Sequence, residues 1–195
     1  MNSREWTDSG TKLFHGALDR LSDADLDGPS LLPGWTRKHV VAHVHHNAEA
    51  LRRLVSWAAT GVENRMYAGP EQRNAEIETS AQLPAATLRE LVVRSAEALA
   101  ADLDALAPDA WTHLVVTAQG RTVPATEIPW MRAREVAVHS VDLDAGVGFA
   151  DLPEDLTAAL VADAIDKQRA HGLTAALAAW LTGRTAEAPT LGRWL

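Results

Sequence analysis

Alanine is the commonest residue of this chain, and it constrains the fold more than any other feature of the sequence. It fills 36 of the 195 positions, whereas phenylalanine and tyrosine together fill three. Alanine is the best helix former, and strands favour aromatic and β-branched residues. The composition therefore predicts a mainly all-α protein that forms one domain, or one domain with a small appendage.

The hydrophobic pattern predicts four long helices, with Thr36 as the N-cap of the second helix and Gly61 near its end. Their predicted ranges are residues 4–21, 36–61, 84–106 and 129–145. A short hairpin is expected within residues 111–129. Two shorter helices, over residues 153–171 and 173–181, are expected to close the chain. Four long helices that are joined through one long crossover favour a four-helix bundle.

Charge and cysteine content exclude several classes of protein. The formal net charge is −8, which is unfavourable for binding a phosphate backbone, so no nucleic-acid partner is expected. The absence of cysteine excludes disulfides, a protein thiol nucleophile and thiolate metal ligands, so any thiol chemistry has to use a borrowed thiol. No apolar run reaches the ~18–20 residues of a membrane span, and the N-terminus lacks the apolar core of a signal peptide. A soluble, cytoplasmic protein without a membrane partner is expected.

The second predicted helix carries an unusual density of histidines. At 3.6 residues per turn, His39, His43, His46 and Asn47 lie near one face of this helix, and His45 points away from it. Taken singly, His39, His45 and His46 are expected to be solvated or helix-surface residues.

The fourth predicted helix presents Glu135 and His139 at i, i+4, and Arg132 and Asp142 share roughly that face. Helical bundles build metal sites from imidazole and carboxylate groups that face each other across two helices. Two histidines and one carboxylate also suit zinc with an open coordination position. An inward histidine is, however, commonly a hydrogen-bonded core residue, and a Glu-x-x-x-His pair is commonly a surface ion pair. The spacing alone leaves both interpretations open.

Three motifs connect the sequence with a known family. The first, at residues 32–51, reads Leu-Pro-Gly-Trp-Thr-Arg-x-x-Val-x-x-His-Val-x-x-Asn-Ala-x-Ala-Leu. The second is Arg-Glu-Val-x-x-His-x-Val-Asp-Leu at residues 134–143, and the third is Trp-Leu-Thr-Gly-Arg at residues 180–184. With these motifs the chain resembles the mycothiol-dependent maleylpyruvate isomerase family, which belongs to the DinB-like superfamily of metal-binding four-helix bundles. Tyr67 and Arg73 also match the family's pattern, but we assign them no role.

The resemblance implies a zinc site formed by His43, Glu135 and His139, and it selects His43 among the histidines of the second helix. Other divalent transition metals also suit these ligands. It further implies that mycothiol, a small thiol of actinobacteria, is the borrowed nucleophile. In that reaction the thiolate adds to the cis double bond of maleylpyruvate, the resulting single bond rotates, and elimination of the thiolate gives fumarylpyruvate.

The implied substrate is a dianion, so arginines are expected at its binding site. Arg132, one turn before Glu135, and Arg184, in the third motif, are the candidates for binding its carboxylates. Asn47, one turn after His43, is a candidate for supporting the metal ligands or for binding the thiol.

The C-terminal region departs from the family pattern. Family members carry a small α/β domain after the bundle, whereas residues 149–195 are alanine-rich and helical in pattern. We expect the bundle to span residues 1–148, and the remainder to form a short helical extension that packs against the open end of the bundle near the metal. In this extension Trp180 is expected to anchor the last helix in apolar surface. Gly183 is expected to end that helix, with Arg184 projecting beyond it.

Two other functions fit the same residues. A thiol S-transferase built on this bundle would keep the metal and the thiol but act on another electrophile, in detoxification or secondary metabolism, and the short C-terminal region favours it. A metal-binding or small-molecule-binding bundle without catalysis would also keep these ligands, but an intact ligand set with an open position argues against it. In both enzyme interpretations the partners are a small-molecule thiol and an anionic small-molecule substrate.

Overall fold

The computed structural model describes residues 3–192 and residue 194. Within these residues the helices are α1 (Ser3–Asp19), α2 (Arg37–Thr60), α3 (Pro70–Ala81), α4 (Ala85–Asp104), α5 (Ile128–Asp142), α6 (Glu154–Ala170) and α7 (Thr174–Leu181). The strands there, β1 (Leu114–Val116) and β2 (Thr122–Pro124), pair as an antiparallel hairpin. The protein is therefore mainly α-helical, as the composition predicted. In this described part of the chain, no helix has both the length and the apolar composition that a membrane span requires.

The long helices α1, α2, α4 and α5 form the predicted four-helix bundle. α1 packs along α5, and α2 lies against both α5 and α4. Each helix contributes fully buried side chains to one shared cluster, among them Phe14, Val40, Leu88 and Val136. α3, which forms part of the crossover between α2 and α4, packs against α2. The centre of the bundle thus lies between α2 and α5, the two helices that carry the predicted metal ligands.

α2 begins and ends where the sequence signals predicted. Thr36 precedes the helix in an extended conformation, and its backbone N and hydroxyl oxygen lie 3.2 and 2.7 Å from Nδ1 of His39. This capping interaction fixes the first turn. Gly61 follows the last turn with a φ of 71°, a left-handed conformation that glycine adopts without strain.

Arg37, the first residue of α2, connects this helix to the end of α5. Its Nε donates to the carbonyl of Leu143 at 2.6 Å, and its Nη2 donates to the carbonyl of Asp144 at 3.2 Å. The backbone N–H of Leu31 donates to the carbonyl of Asp142 at 3.0 Å. Because these donors satisfy carbonyls that would otherwise continue the helix, α5 ends at Asp142 and not at residue 145 as predicted. The same bonds place the start of α2 beside the last turn of α5.

The packing of the chain divides it into two compact units, Met1–Asp151 and Leu152–Leu195. The second unit contains α6 and α7, as predicted. Gln168 of α6 donates from its side-chain amide to the carbonyl of Gly192 at 2.9 Å, and its side-chain oxygen accepts from the Gly192 N–H at 2.8 Å. The predicted domain boundary and the docking of the extension near the metal stay predictions.

The end of α7 forms a Schellman motif. Gly183 has a φ of 73°, and its N–H donates to the carbonyl of Trp180 at 2.9 Å. The N–H of Arg184 donates to the carbonyl of Ala179 at 2.7 Å, so Gly183 ends the helix as predicted. The prediction that Trp180 is an apolar anchor is wrong, because Trp180 is 38% exposed and α7 buries Leu177 instead.

Two glycines of α1 give a matched test of the packing between α1 and α5. A Cβ at Gly10 would lie 2.7 Å from Cγ2 of Val136 and 3.3 Å from the backbone N of Ala137, whereas a Cβ at Gly16 would meet nothing within 4 Å. We expect Gly10→Ala to lower the free energy of unfolding by about 1–3 kcal/mol through overpacking. We expect Gly16→Ala to raise it by up to about 1 kcal/mol through helix propensity. Urea denaturation of both variants measures the difference, and a Gly10→Ala protein as stable as Gly16→Ala would contradict the close approach.

Candidate metal centre

The predicted metal ligands His43, Glu135 and His139 converge inside the bundle. His43 projects from α2, and the other two lie one turn apart on α5. Nε2 of His43 lies 2.9 Å from Oε2 of Glu135, and Nε2 of His139 lies 3.3 Å from the same oxygen. The three potential ligand atoms all lie within 4.8 Å of one another. One ion can bridge such separations, since Zn–N and Zn–O bonds are about 2.0–2.2 Å long.

The charges of these three buried side chains depend on one another. Burial lowers the pKa of His43 to about 4, despite its hydrogen bond with Glu135. Burial would raise the pKa of Glu135, but hydrogen bonds with His139 and His43 hold it well below its usual value. Burial also opposes a charge on His139, but hydrogen bonds with Asp142 and Glu135 raise its pKa to about 9. At neutral pH the metal-free centre therefore holds a neutral His43, an ionised Glu135 and a protonated His139.

Asp142 orients one of the two histidines. Its Oδ2 lies 2.7 Å from Nδ1 of His139, so Nδ1 carries a proton that it donates to the carboxylate. Nε2 is then the atom that faces Glu135 and can coordinate a metal, an arrangement that recurs around metal-binding histidines. The sequence analysis placed Asp142 only on the same face as His139. Its i, i+3 spacing was the available signal for this contact.

Arg73 of α3 reaches the centre, although the sequence analysis assigned it no role. Its Nη2 lies 3.3 Å from Nδ1 of His43. A guanidinium only donates, so Nδ1 accepts and the proton of neutral His43 lies on Nε2, toward Glu135. Tyr67 lies nearby, and burial raises its pKa to about 12, with Arg73 opposing and Glu135 supporting the shift. For both residues, the match to the family's pattern was the available signal.

Trp35 covers the centre at the start of α2. Its ring centroid lies 5.7 Å from that of His43 in an edge-on arrangement and 6.1 Å from that of His39. Trp35 is itself partly buried against the hydrophobic cluster of the bundle. An apolar cover of this kind excludes water, and it strengthens the electrostatic interactions beneath it.

The other histidines of α2 bind partners outside the centre. Nε2 of His39 lies 3.2 Å from Oε2 of Glu78, and Nε2 of His46 lies 2.8 Å from Oγ of Ser80, both on α3. The rings of His45 and His46 lie 4.7 Å apart, and burial lowers the pKa of His45. All three residues are only partly exposed, because α3 and α4 pack over this part of α2.

Asn47 and Arg132 form a buried pair. Nη1 of Arg132 donates to Oδ1 of Asn47 at 2.9 Å and to the carbonyl of Val44 at 2.8 Å. Burial lowers the pKa of Arg132 to about 10, so its guanidinium stays charged at neutral pH. Arg184 lies in the second unit, where its exposed guanidinium contacts the carbonyl of Thr182. The roles predicted for Asn47, Arg132 and Arg184 stay predictions.

Known proteins are similar to this chain in both sequence and fold. The sequence-family model of the mycothiol maleylpyruvate isomerase N-terminal domain matches residues 8–144 of this chain. The chain belongs to this isomerase family. A crystal structure of the mycothiol-dependent maleylpyruvate isomerase is 43% identical to this family member, with a TM-score of 0.85 over 87% of this chain and 71% of that chain. A histidine-to-alanine mutant of that isomerase matches at 42% identity, with the same TM-score and coverage. No curated protein gives a significant match.

Metal content tests the ligand set. We expect the purified family member to carry about one equivalent of a divalent metal, and His43→Ala, Glu135→Ala and His139→Ala each to lose most of it. His39→Ala and His46→Ala are matched controls that should keep it, because their partners lie on α3. Elemental analysis of folded protein measures the content. Metal loss in either control together with retention in His43→Ala would show that another histidine is the ligand.

Proton release tests the contact with Asp142. Because the pKa of His139 is about 9 in the metal-free centre, the ring is protonated at pH 7.5 and has to lose that proton when Nε2 coordinates. We expect close to one proton released per metal bound, against about 0.1 for a histidine of ordinary pKa. Calorimetry in buffers of different ionisation enthalpy measures this number.

Asp142→Asn provides the comparison for this measurement. It should release fewer protons and bind the metal about 10–100-fold more weakly. Glu78→Gln, which neutralises the carboxylate facing His39, should change neither quantity. Equal proton release by Asp142→Asn and the wild-type protein would contradict the role of this carboxylate.

Proposed function

We propose that this protein is a metal- and mycothiol-dependent maleylpyruvate isomerase, which converts maleylpyruvate to fumarylpyruvate. The observation that carries the proposal is the convergence of His43, Glu135 and His139 inside a bundle of this family. The matched solved structures are those of a mycothiol-dependent maleylpyruvate isomerase and its mutant. The thiol S-transferase and the non-catalytic bundle have no comparable support.

The donor set fits a divalent metal, and we propose zinc. Two imidazoles and one carboxylate are the ligands of catalytic zinc sites that keep a fourth position open. Glu135 contributes the single negative charge among the three ligands, so a divalent ion leaves the centre with a net charge of about +1. When bound, such an ion lowers the pKa of a coordinated thiol and deprotonates it at neutral pH.

A thiol nucleophile has to come from outside the chain, because the chain contains no cysteine. We propose mycothiol, whose reversible addition makes the double bond of maleylpyruvate single and thereby permits its rotation. The same thiol leaves at the end, so the reaction consumes no oxidant or reductant. The residues of the chain set the geometry of the centre: Asp142 holds the ring of His139, and the ring of Trp35 packs against that of His43.

Arg73 is proposed to bind a carboxylate of the substrate. Its guanidinium lies at the centre, 3.3 Å from Nδ1 of His43. When Nε2 of His43 serves as a metal ligand, the proton of the neutral ring has to lie on Nδ1, which then no longer accepts from Arg73. Nη2 of Arg73 would then be available to a carboxylate, and an arginine–carboxylate contact is a strong kind of ion pair.

The sequence-predicted residues receive unequal support. Asn47 is proposed as a positioning residue, since its side chain is buried one turn after His43 and is held by Arg132. Arg184 is proposed to contact the substrate, and its exposed guanidinium supports a contact with a solute. The hydrogen bonds of Arg132 go to Asn47 and to the carbonyl of Val44 and not to the metal ligands, so its predicted contact with a substrate carboxylate at the centre gains no support from the structure.

Reconstitution tests the proposed function. Metal-free protein is loaded with zinc and incubated with mycothiol and maleylpyruvate, and the product is identified by chromatography and its absorbance spectrum. We expect fumarylpyruvate, and we expect turnover to stop when either zinc or the thiol is omitted. A stable thioether adduct would support a thiol S-transferase, and turnover that persists without a thiol would contradict the borrowed nucleophile.

Arginine variants extend the same assay. Arg73→Gln should lower kcat/KM by about 10–100-fold while the zinc content stays unchanged, because a charged hydrogen bond to a carboxylate is lost. Arg184→Ala tests the C-terminal candidate in the same way. Arg94→Gln is the matched control, since Arg94 lies on the outer surface of α4, where its side chain is 72% exposed. An unchanged kcat/KM for Arg73→Gln would leave Arg184 as the favoured carboxylate partner.

A further inference from the structure

A groove of about 330 Å³ lies between α1 and α4. It exists because α1 packs along α5 while α4 packs against α2, so the two helices have few contacts with each other. None of the described residues that line the groove is a candidate metal ligand. Its volume lies at the lower end of the range of about 300–1,000 Å³ that is typical of small-molecule pockets.

Arg132 lines this groove and has a donor without a partner. It lines the groove although it is 1% exposed. Its Nη1 bonds the side chain of Asn47 and the carbonyl of Val44, whereas its Nη2 is buried and has no hydrogen-bond partner. Within the described residues no carboxylate forms an ion pair with Arg132, and Glu135 acts on it only through its charge. A buried cation with an unsatisfied donor is costly, and an anion in the groove would relieve that cost.

The two walls of the groove differ in polarity. The wall from α4 presents small and aliphatic side chains, namely Val93, Ala96, Leu99, Ala100 and Leu103. The wall from α1 includes Thr11 and the ring of His15. Burial and the charge of Arg132 lower the pKa of His15, so this ring stays neutral at neutral pH. A ligand in the groove therefore meets the charge of Arg132 and an apolar surface along one side.

The exposed charges around the opening disfavour a second negative charge on the ligand. Asp8 and Glu97 line the groove and are exposed, and Lys12 is the exposed cation beside them. Arg4 pairs with Asp104 across the two helices. A second carboxylate on the ligand would lie near the two acidic side chains of the opening, where like charges repel.

We propose that this groove binds an organic monocarboxylate with an apolar body, whose carboxylate accepts from Nη2 of Arg132 and whose body lies on the apolar wall of α4. The site is separate from the metal centre and does not depend on the proposed isomerase function. The unpartnered Nη2 of Arg132 suits one oxygen of a carboxylate.

Calorimetric titration of the full chain with octanoate tests the proposal. Octanamide is the matched neutral ligand, and suberate carries a second carboxylate on the same chain length. We expect octanoate to bind at least tenfold more tightly than octanamide or suberate. Octanamide lacks the charge-assisted bond to the buried guanidinium, and the second carboxylate of suberate is repelled by the acidic side chains of the opening. Equal affinities for octanoate and octanamide would overturn the proposal and leave a water molecule as the partner of Nη2.

Three variants locate the binding. Ala100→Trp fills the groove from α4 and should abolish octanoate binding, whereas Ala101→Trp, at the next and exposed position, should not. Arg132→Gln should remove the preference for octanoate over octanamide, and if that variant fails to fold, the two tryptophan variants decide. His43→Ala should bind octanoate as the wild-type protein does. Loss of binding in His43→Ala would place the carboxylate at the metal centre and overturn the separate site, as would an unchanged affinity in Ala100→Trp.

Discussion

The buried carboxylate of Glu135 is the interaction on which the rest of the structure depends. An ionised carboxylate away from water is costly unless it is paired and hydrogen-bonded. His43 from α2 and His139 from α5 both face it, so these two helices are held at the spacing that the charge requires. A cation, whether the proton on His139 or a metal, completes the balance. Metal affinity, protonation and the packing of the bundle are therefore linked through one side chain.

The opening motif surrounds this carboxylate with residues whose roles are mainly structural. Trp35 covers His43, Thr36 starts α2, and Arg37 binds the carbonyls that follow α5. None of these three is among the potential metal ligands. Their effect is to set the start of α2 against the end of α5, a placement in which His43 meets Glu135. The specificity of the motif for one family thus reflects the geometry of the helix pair more than the chemistry of the site.

Helical periodicity predicted the parts of the fold and of the site that depend on one helix at a time. It gave the four long helices, the bundle and the face of α5 that carries Glu135 and His139, but not α3, which lies in the crossover after α2. It left His39, His43 and His46 equivalent, because the roles of these histidines depend on which elements pack against α2. Residues of α3 bind His39 and His46 and leave His43 to the centre. The contact of Arg73 with His43 joins residues on two helices, and no pattern within either helix indicates it. The family resemblance was needed to choose His43.

Arg132 and Glu135 place opposite charges about one turn apart on α5, and the two differ in how well they are satisfied. Glu135 has two imidazole partners, whereas Nη2 of Arg132 has no hydrogen-bond partner. The negative charge of Glu135 supports the charge of Arg132 by raising its pKa against the effect of burial. Each of these two buried charges therefore lowers the cost of burying the other, and Arg132 is the one of the two that still has an unsatisfied donor.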